Sequence, residues 1–471
     1  MKSCLSSKHS LVVCYLLSLL IAACSPSQEA TAPTSTPIPA PTTEPNAMPT
    51  LTTIPSQENE ISSPIPSTEQ PVVVAFIKDG NIQVWDEATN EIQTIVNAGD
   101  VIAVTMSDDG QVIAFLRRSV VQITEIEGFE QSALWAVDRN GGNPRELVSA
   151  ESLRQRLNAG ERDSVNIPHM EWIPGTHRLL FSGWKYIVQA EGESHAIPEG
   201  LYLVDTDTLT DTQLIPAGNY LHFAVSPDGQ QIALMSFTGL SFMNVDGSNI
   251  RSDALIYPQI GQAGPLFPTG VWTQDSQAFV ITGSFEADAR FNINFTIWRV
   301  PVDGSSPEAL ANIIASDPRS ITFSPDGQRV AFLQTTEEQP SQIAGWSIAP
   351  LTDGLGPLAI PYDYDMENIT ASLHWSPAGD PFTKNLRGLC PDATRDTDEC
   401  DTGIGFWGTV AAIHWMDGNR VLFLTRDPSV LFLGKMTFEG NWDGTTIPIV
   451  AWPVEKWVSL QSFTTHRISQ K

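Results

Sequence analysis

No apolar run in the 471-residue chain is long enough to cross a bilayer as a helix. The longest, residues 11–23, has 13 residues, where a spanning helix needs about 20. Cysteine is scarce, with five in all, which excludes a disulfide-dense scaffold or a multi-site zinc protein. Basic residues are outnumbered, 26 Lys and Arg against 54 Asp and Glu. The formal charge is −28, and nucleic acid is excluded as a partner, because such affinity comes largely from cationic contacts with phosphate. Catalytic signatures are missing too. There is no G-x-S-x-G elbow, no Walker loop, no G-x-G-x-x-G opening a helix, and no H-x-H or H-E-x-x-H pair.

What is present begins at the amino end. Lys2 and Lys8 precede the short apolar run, which ends in small residues, as a cleavable secretory signal does. The stretch Ile21-Ala22-Ala23-Cys24 resembles the lipobox of bacterial lipoproteins. The resemblance implies cleavage before Cys24 and acylation of its sulfur; two or three acyl chains hold a protein firmly to membrane lipid, where one is marginal. Cys4 and Cys14 leave with the signal, and Cys390 and Cys400 remain as an even pair in an exported chain, for which a disulfide is expected. Closing that short loop contributes about 2–3 kcal/mol on the chain-entropy model. Losing Lys2 and Lys8 takes the mature charge to −30. Residues 25–70 are more than half Pro, Ser and Thr and contain no Lys or Arg. Such a segment does not bury enough surface to offset its ordering entropy and behaves as a semi-rigid spacer. The expected organisation is a signal over 1–23, the lipidated Cys24 and a disordered stalk over 24–70, and one folded domain over 71–471.

About 400 residues exceed the size at which a single simple core stops growing, so repeats are the first thing to seek. Ser226-Pro227-Asp228-Gly229 runs into QQIALMS, and Ser324-Pro325-Asp326-Gly327 into QRVAFLQ. Degenerate copies start near Ser107, Ile173, Thr273, Ser376 and Met416. Proline presets the first corner of a type I turn, Asp suits the next, and Gly takes the left-handed conformation that ends it. Each copy is a hairpin. Downstream of most recurs a third strand closed by an Asp/Gly turn, as in ALWAVDRNGG, LSFMNVDGSN and TIWRVPVDGSS, and then a short fourth. Four strands per repeat is the size of a propeller blade.

These copies resemble the WD40-like (PD40) repeats of TolB-type propellers. The resemblance implies an all-β fold, a single β-propeller of about seven four-stranded blades, with six or eight as alternatives. Residues 371–410 form either a short extra blade or an insertion. The chain from Val72 supplies three strands without an inner one, and WVSLQSF, over 457–463, is expected to close the ring as the missing strand.

Aligning the hairpins exposes two faces of the inner strands. One carries Met106, Trp172, Val225, Trp272, Phe323, Trp375 and Trp415, with apolar residues two positions earlier, and reads as packing between blades. The other carries Ala103 and Thr105, His169 and Glu171, His222 and Ala224, Thr269 and Val271, Ser320 and Thr322, Ser372 and His374, and Ala412 and His414. Inner strands line the axial channel of a propeller, so His169, Glu171, His222, His374 and His414 are candidate channel-lining ligand groups; a self-satisfied, water-filled channel is the alternative. Spacing supports no metal site. The acidic groups Asp363/Asp365/Glu367 and Asp396/Asp398/Glu399/Asp401 do not reproduce a calcium loop and read as solvated turns.

Together these features predict a monomeric lipoprotein on the extracytoplasmic face of the cell membrane, needing no cofactor. Its propeller is expected to bind or scaffold a protein, peptide or glycan. The alternative is a propeller enzyme, a polysaccharide lyase or hydrolase, with its site among the channel residues.

Overall fold

The computed structural model describes residues 71–351 apart from 123–127, 189–193, 217–221, 237, 258–267, 288–292, 316–320 and 336–342, and beyond them residues 358–359, 373–375, 381–385, 388–390, 410–415, 420–425, 430–436, 442–451 and 463–467. Strands dominate and pair antiparallel with their neighbours, most units running in chain order from a first strand, in the inner place of a blade, to a fourth. The second unit is Val101–Met106, Val112–Gln122, Gly128–Asp138 and Arg145–Val148. The third is Met170–Trp172, Arg178–Val188, Ser194–Asp205 and Asp211–Pro216. The fourth is His222–Val225, Gln231–Met235, Gly239–Asn244 and Arg251–Ile256. The fifth is Gly270–Trp272, Ala278–Ala287, Ile293–Pro301 and Glu308–Ala315. The sixth is Thr322–Phe323, Arg329–Thr335, Ile343–Pro350 and Leu358–Ala359. A three-stranded sheet, Leu373–Trp375, Pro381–Asn385 and Gly388–Cys390, precedes the last unit, Val410–Trp415, Arg420–Thr425, Val430–Met436 and Trp442–Ala451. Successive four-stranded meanders of this kind are the strand arrangement of a β-propeller.

The recurring turn owes its shape to a hydroxyl and an aspartate two residues on. Ser107, Ser226 and Thr273 donate to Asp109, Asp228 and Asp275 at 2.7, 2.6 and 2.6 Å, and Ser324 donates to Asp326. The same hydroxyls accept the N–H that opens the next strand, from Val112, Gln231, Ala278 and Arg329. Gly110, Gly229 and Gly327 take φ of 66°, 69° and 67°, where a Cβ is disfavoured. In the fifth unit Ser276 occupies that position at φ 60°, and its hydroxyl accepts the Asp228 N–H of the preceding unit's turn at 3.1 Å.

The first unit, Val72–Lys78, Asn81–Asp86 and Glu91–Val96, takes its inner strand from the far end of the chain. Phe463–Arg467 pairs antiparallel with it, Phe463 opposite Phe76 and Arg467 opposite Val72. This corrects the expectation from sequence, which put the pairing strand over 457–463. Val72–Phe76 are all fully buried; a strand buried on both faces carries no alternation from which its partner's register is read. Arg420 of the last unit, 2% exposed, donates to Glu87 at 3.0 Å, and Glu87 also accepts the Val72 N–H at 3.0 Å.

Two elements were not expected. A helix, Ala150–Arg156, capped by Ser149 Oγ accepting the Ser152 N–H at 3.1 Å, buries Leu153. A short strand, Ser164–Asn166, then runs antiparallel to Arg178–Val188 and parallel to Gly128–Asp138, joining the second and third units into one nine-stranded sheet.

Candidate functional site

The inner strands turn one face to the core. Val104, Met106, Trp172, Phe223, Val225, Trp272, Ile321 and Phe323 are buried. Trp272 lies 5.5 Å from Phe242 and 5.3 Å from Phe279, ring centre to ring centre, and donates its indole N–H to the Ala224 carbonyl at 3.0 Å. The opposite face is open: Thr105, His169, Glu171, Ala224, Thr269, Val271 and Thr322 are half-buried, and His222 is exposed. Ala103 departs from the expected stripe. The pairing register shifts between Val101 and Ala103, and Ala103 joins the core of the second and third units.

Three of the five predicted channel residues come together. His169 stands just ahead of the third unit's inner strand, Glu171 in it, and His222 opens the fourth unit's inner strand. His169 Nε2 is 3.7 Å from Glu171 Oε2, while Glu171 Oε1 accepts the Val225 N–H at 3.2 Å and so ties the two inner strands. The His169 ring leans on Phe223 with centroids 4.6 Å apart. Solvent reaches His222, but part of its ring is buried. That burial, with a smaller push from the charge on His169, lowers its pKa and favours the neutral imidazole. A carboxylate beside the His169 imidazole, with the His222 imidazole on the neighbouring strand, offers both donors and acceptors on an accessible surface, a fit for hydroxyl or amide groups of a ligand. Among the described residues, no group of three or more His, Cys, Asp or Glu is arranged to hold a metal ion.

His374 lies opposite Phe382, and His414 opposite Leu422, in the inner strands of their sheets; their side chains lie outside the described residues, so the stripe is not followed past the sixth unit. Cys390 ends the strand Gly388–Cys390, and Cys400, Cys24 and both acidic groups fall outside the described residues.

The sequence reading passed over His177. It fills the turn position that holds Gln111, Gln230, Gln277 and Gln328 in other units, and this break in the repeat was its signal. Its Nε2 meets Asp109 Oδ2 of the second unit at 3.0 Å, and its Nδ1 meets Asp207 Oδ2 at 2.9 Å. Burial opposes the charged ring, but the hydrogen bonds and charges of both carboxylates outweigh it, and the pKa rises.

No protein-family model and no curated protein matches the chain. Among solved structures, TolB from Acinetobacter baumannii is similar at 15% identity, over 84% of this chain and 82% of that one, with a TM-score of 0.33. The β-propeller domain of the trilobed protease from Pyrococcus furiosus is similar at 11% identity, over 74% and 98%, with a TM-score of 0.40. An acylaminoacyl peptidase from Pyrococcus horikoshii is similar at 13% identity, over 74% and 52%, with a TM-score of 0.39. The strand order and pairing above carry the fold by themselves.

Proposed function

We propose that the chain is a lipoprotein, anchored through Cys24 to the extracytoplasmic face of the cell membrane, whose propeller binds a protein, peptide or glycan. One observation carries the binding role: adjacent inner strands present His169, Glu171 and His222 together on an accessible face, Glu171 being held by the neighbouring strand's Val225 N–H. The Ile21-Ala22-Ala23-Cys24 run and the Pro/Thr/Ser-rich stalk support the anchor and the display. A mature chain of charge −30 repels its own copies, in keeping with a soluble, monomeric module.

The test is a peptide and glycan array probed with the purified domain and with a His169→Ala/Glu171→Gln/His222→Ala triple variant of matched thermal stability. Binding of a restricted ligand set that the variant loses supports the role. Identical binding by both proteins removes the inner-strand face from consideration. Cleavage of an arrayed polysaccharide by the wild type alone replaces the binding role with the lyase or hydrolase reading.

A further inference from the structure

The boundary between successive units is built differently from one pair to the next. In the second unit the first residue of the fourth strand is Arg145, and it reaches into the third unit, donating to the Thr206 carbonyl at 2.7 Å while also holding Asp138 at 2.9 Å. In the fourth unit the same place is Arg251, which donates to the Pro301 carbonyl of the fifth at 2.6 Å. Strand pairing makes the equivalence explicit: Arg145 lies opposite Ala136, Arg251 opposite Phe242, and in the fifth unit Glu308 opposite Arg299. At the boundaries of the first with the second unit and of the third with the fourth, Ile95 lies beside Gly141 and Leu214 beside Gly247.

At the boundary of the fifth and sixth units Glu308 stands where the bridging arginine would be, and a groove of about 930 Å³ opens there. Asp275, Asp326 and Glu308 line it together with one base, Arg299, over an aliphatic floor of Val280, Leu310 and Leu351. The Asp275 carboxyl is held below the usual range by the Thr273 hydroxyl and the Gln277 N–H, with Arg299 adding its charge. Arg299 is thus balanced by Asp275, and Asp326 and Glu308 leave the groove with an excess of negative charge.

We propose that this groove is a binding site for an arginine side chain of a polypeptide partner. The incoming guanidinium does between the fifth and sixth units what Arg145 and Arg251 do between their own. Its methylenes lie on Val280, Leu310 and Leu351, and its fork of donors meets Glu308 and Asp326. Different residues form the inner-strand face, and this site stands or falls without it.

The test uses the complete mature chain and a fluorescein-labelled hexapeptide, Ala-Ala-Arg-Ala-Ala-Ala, beside its citrulline counterpart, which keeps the shape and loses the charge. Anisotropy at physiological ionic strength reads the affinity. The arginine peptide is expected to bind at least about fivefold tighter than the citrulline one. Glu308→Arg, which supplies the bridge from within, is expected to weaken arginine-peptide binding by at least about tenfold; Glu308→Gln keeps the size of the side chain and is expected to weaken it by about fivefold. Glu91→Arg, an exposed fourth-strand position in the first unit with the same charge change, controls for the acidic surface as a whole and is expected to change binding less than about twofold. Equal binding of the two peptides overturns the proposal. So does a loss in Glu91→Arg as large as in Glu308→Arg, or full binding by Glu308→Gln.

Discussion

The boundary between the second and third units and the boundary between the fifth and sixth are the same joint in a repeat, built to opposite ends. The first is stitched from three directions. Ser164–Asn166 bridges the two sheets, Arg145 reaches the Thr206 carbonyl, and His177 is gripped by Asp109 and Asp207. Arg156, from the inserted helix, adds an ion pair to Asp211 and lies over the Tyr202 ring. The second joint carries Glu308 in the arginine's place and is open. Because most units close their four-strand ladders internally, the joints are free to vary. A few side chains decide whether two units are locked or leave room for a partner.

Substitutions at the joints sharpen this contrast. The largest effect is expected where the first and last units meet. Arg420→Ala leaves Glu87 without its buried partner and should cost about 3 kcal/mol of unfolding free energy, read by chemical denaturation; a loss under about 1 kcal/mol makes that joint dispensable. Arg145→Ala removes a bridge at the stitched joint, taking a donor from the Thr206 carbonyl and leaving Asp138 to Asn143, and should cost about 1–3 kcal/mol. If it costs nothing, an arginine in that place does not lock two units.

His177 gives the stitched joint a pH signature. Its pKa is raised in the folded state, so the stability it contributes is fully present below the unfolded value of about 6.5 and is lost as pH rises through the raised folded value. His177→Gln, which restores the residue type of the other turns, should therefore cost a few tenths to about 1 kcal/mol near pH 6 and close to nothing near pH 9. A difference that grows with pH contradicts the two-carboxylate grip. The smallest effect is expected at the open joint, where Glu308→Arg should change stability by no more than about 0.5 kcal/mol, because it fills space instead of vacating it.

Much of the repeat was legible because turn chemistry is local. Ser226-Pro227-Asp228-Gly229 and Ser324-Pro325-Asp326-Gly327 mark their hairpins with residues that make the hydrogen bonds of the turn themselves, and the copies at Ser107 and Thr273 keep the hydroxyl and the aspartate. The inner-strand alternation was legible for the same reason, down to the juxtaposition of His169 and Glu171. The bridging strand Ser164–Asn166 was not, since three residues have no period. The pairing strand at the carboxyl end was displaced because WVSLQSF has the stronger apolar pattern, while the strand it was to meet, Val72–Phe76, is buried on both faces and selects no pattern. Ala103 left its stripe through a single register shift. The open joint was hidden for another reason: Arg145, Arg251 and Glu308 are unremarkable one at a time, and only the pairing of third and fourth strands sets them in the same place.

A crystal structure of Glu308→Arg tests the equivalence of Arg145, Arg251 and Glu308 most directly. That equivalence predicts that the introduced guanidinium crosses to the sixth unit, within hydrogen-bonding distance of the Pro350 or Leu351 carbonyl, and that the groove is filled. An introduced side chain that points to solvent, over a groove still open, contradicts it.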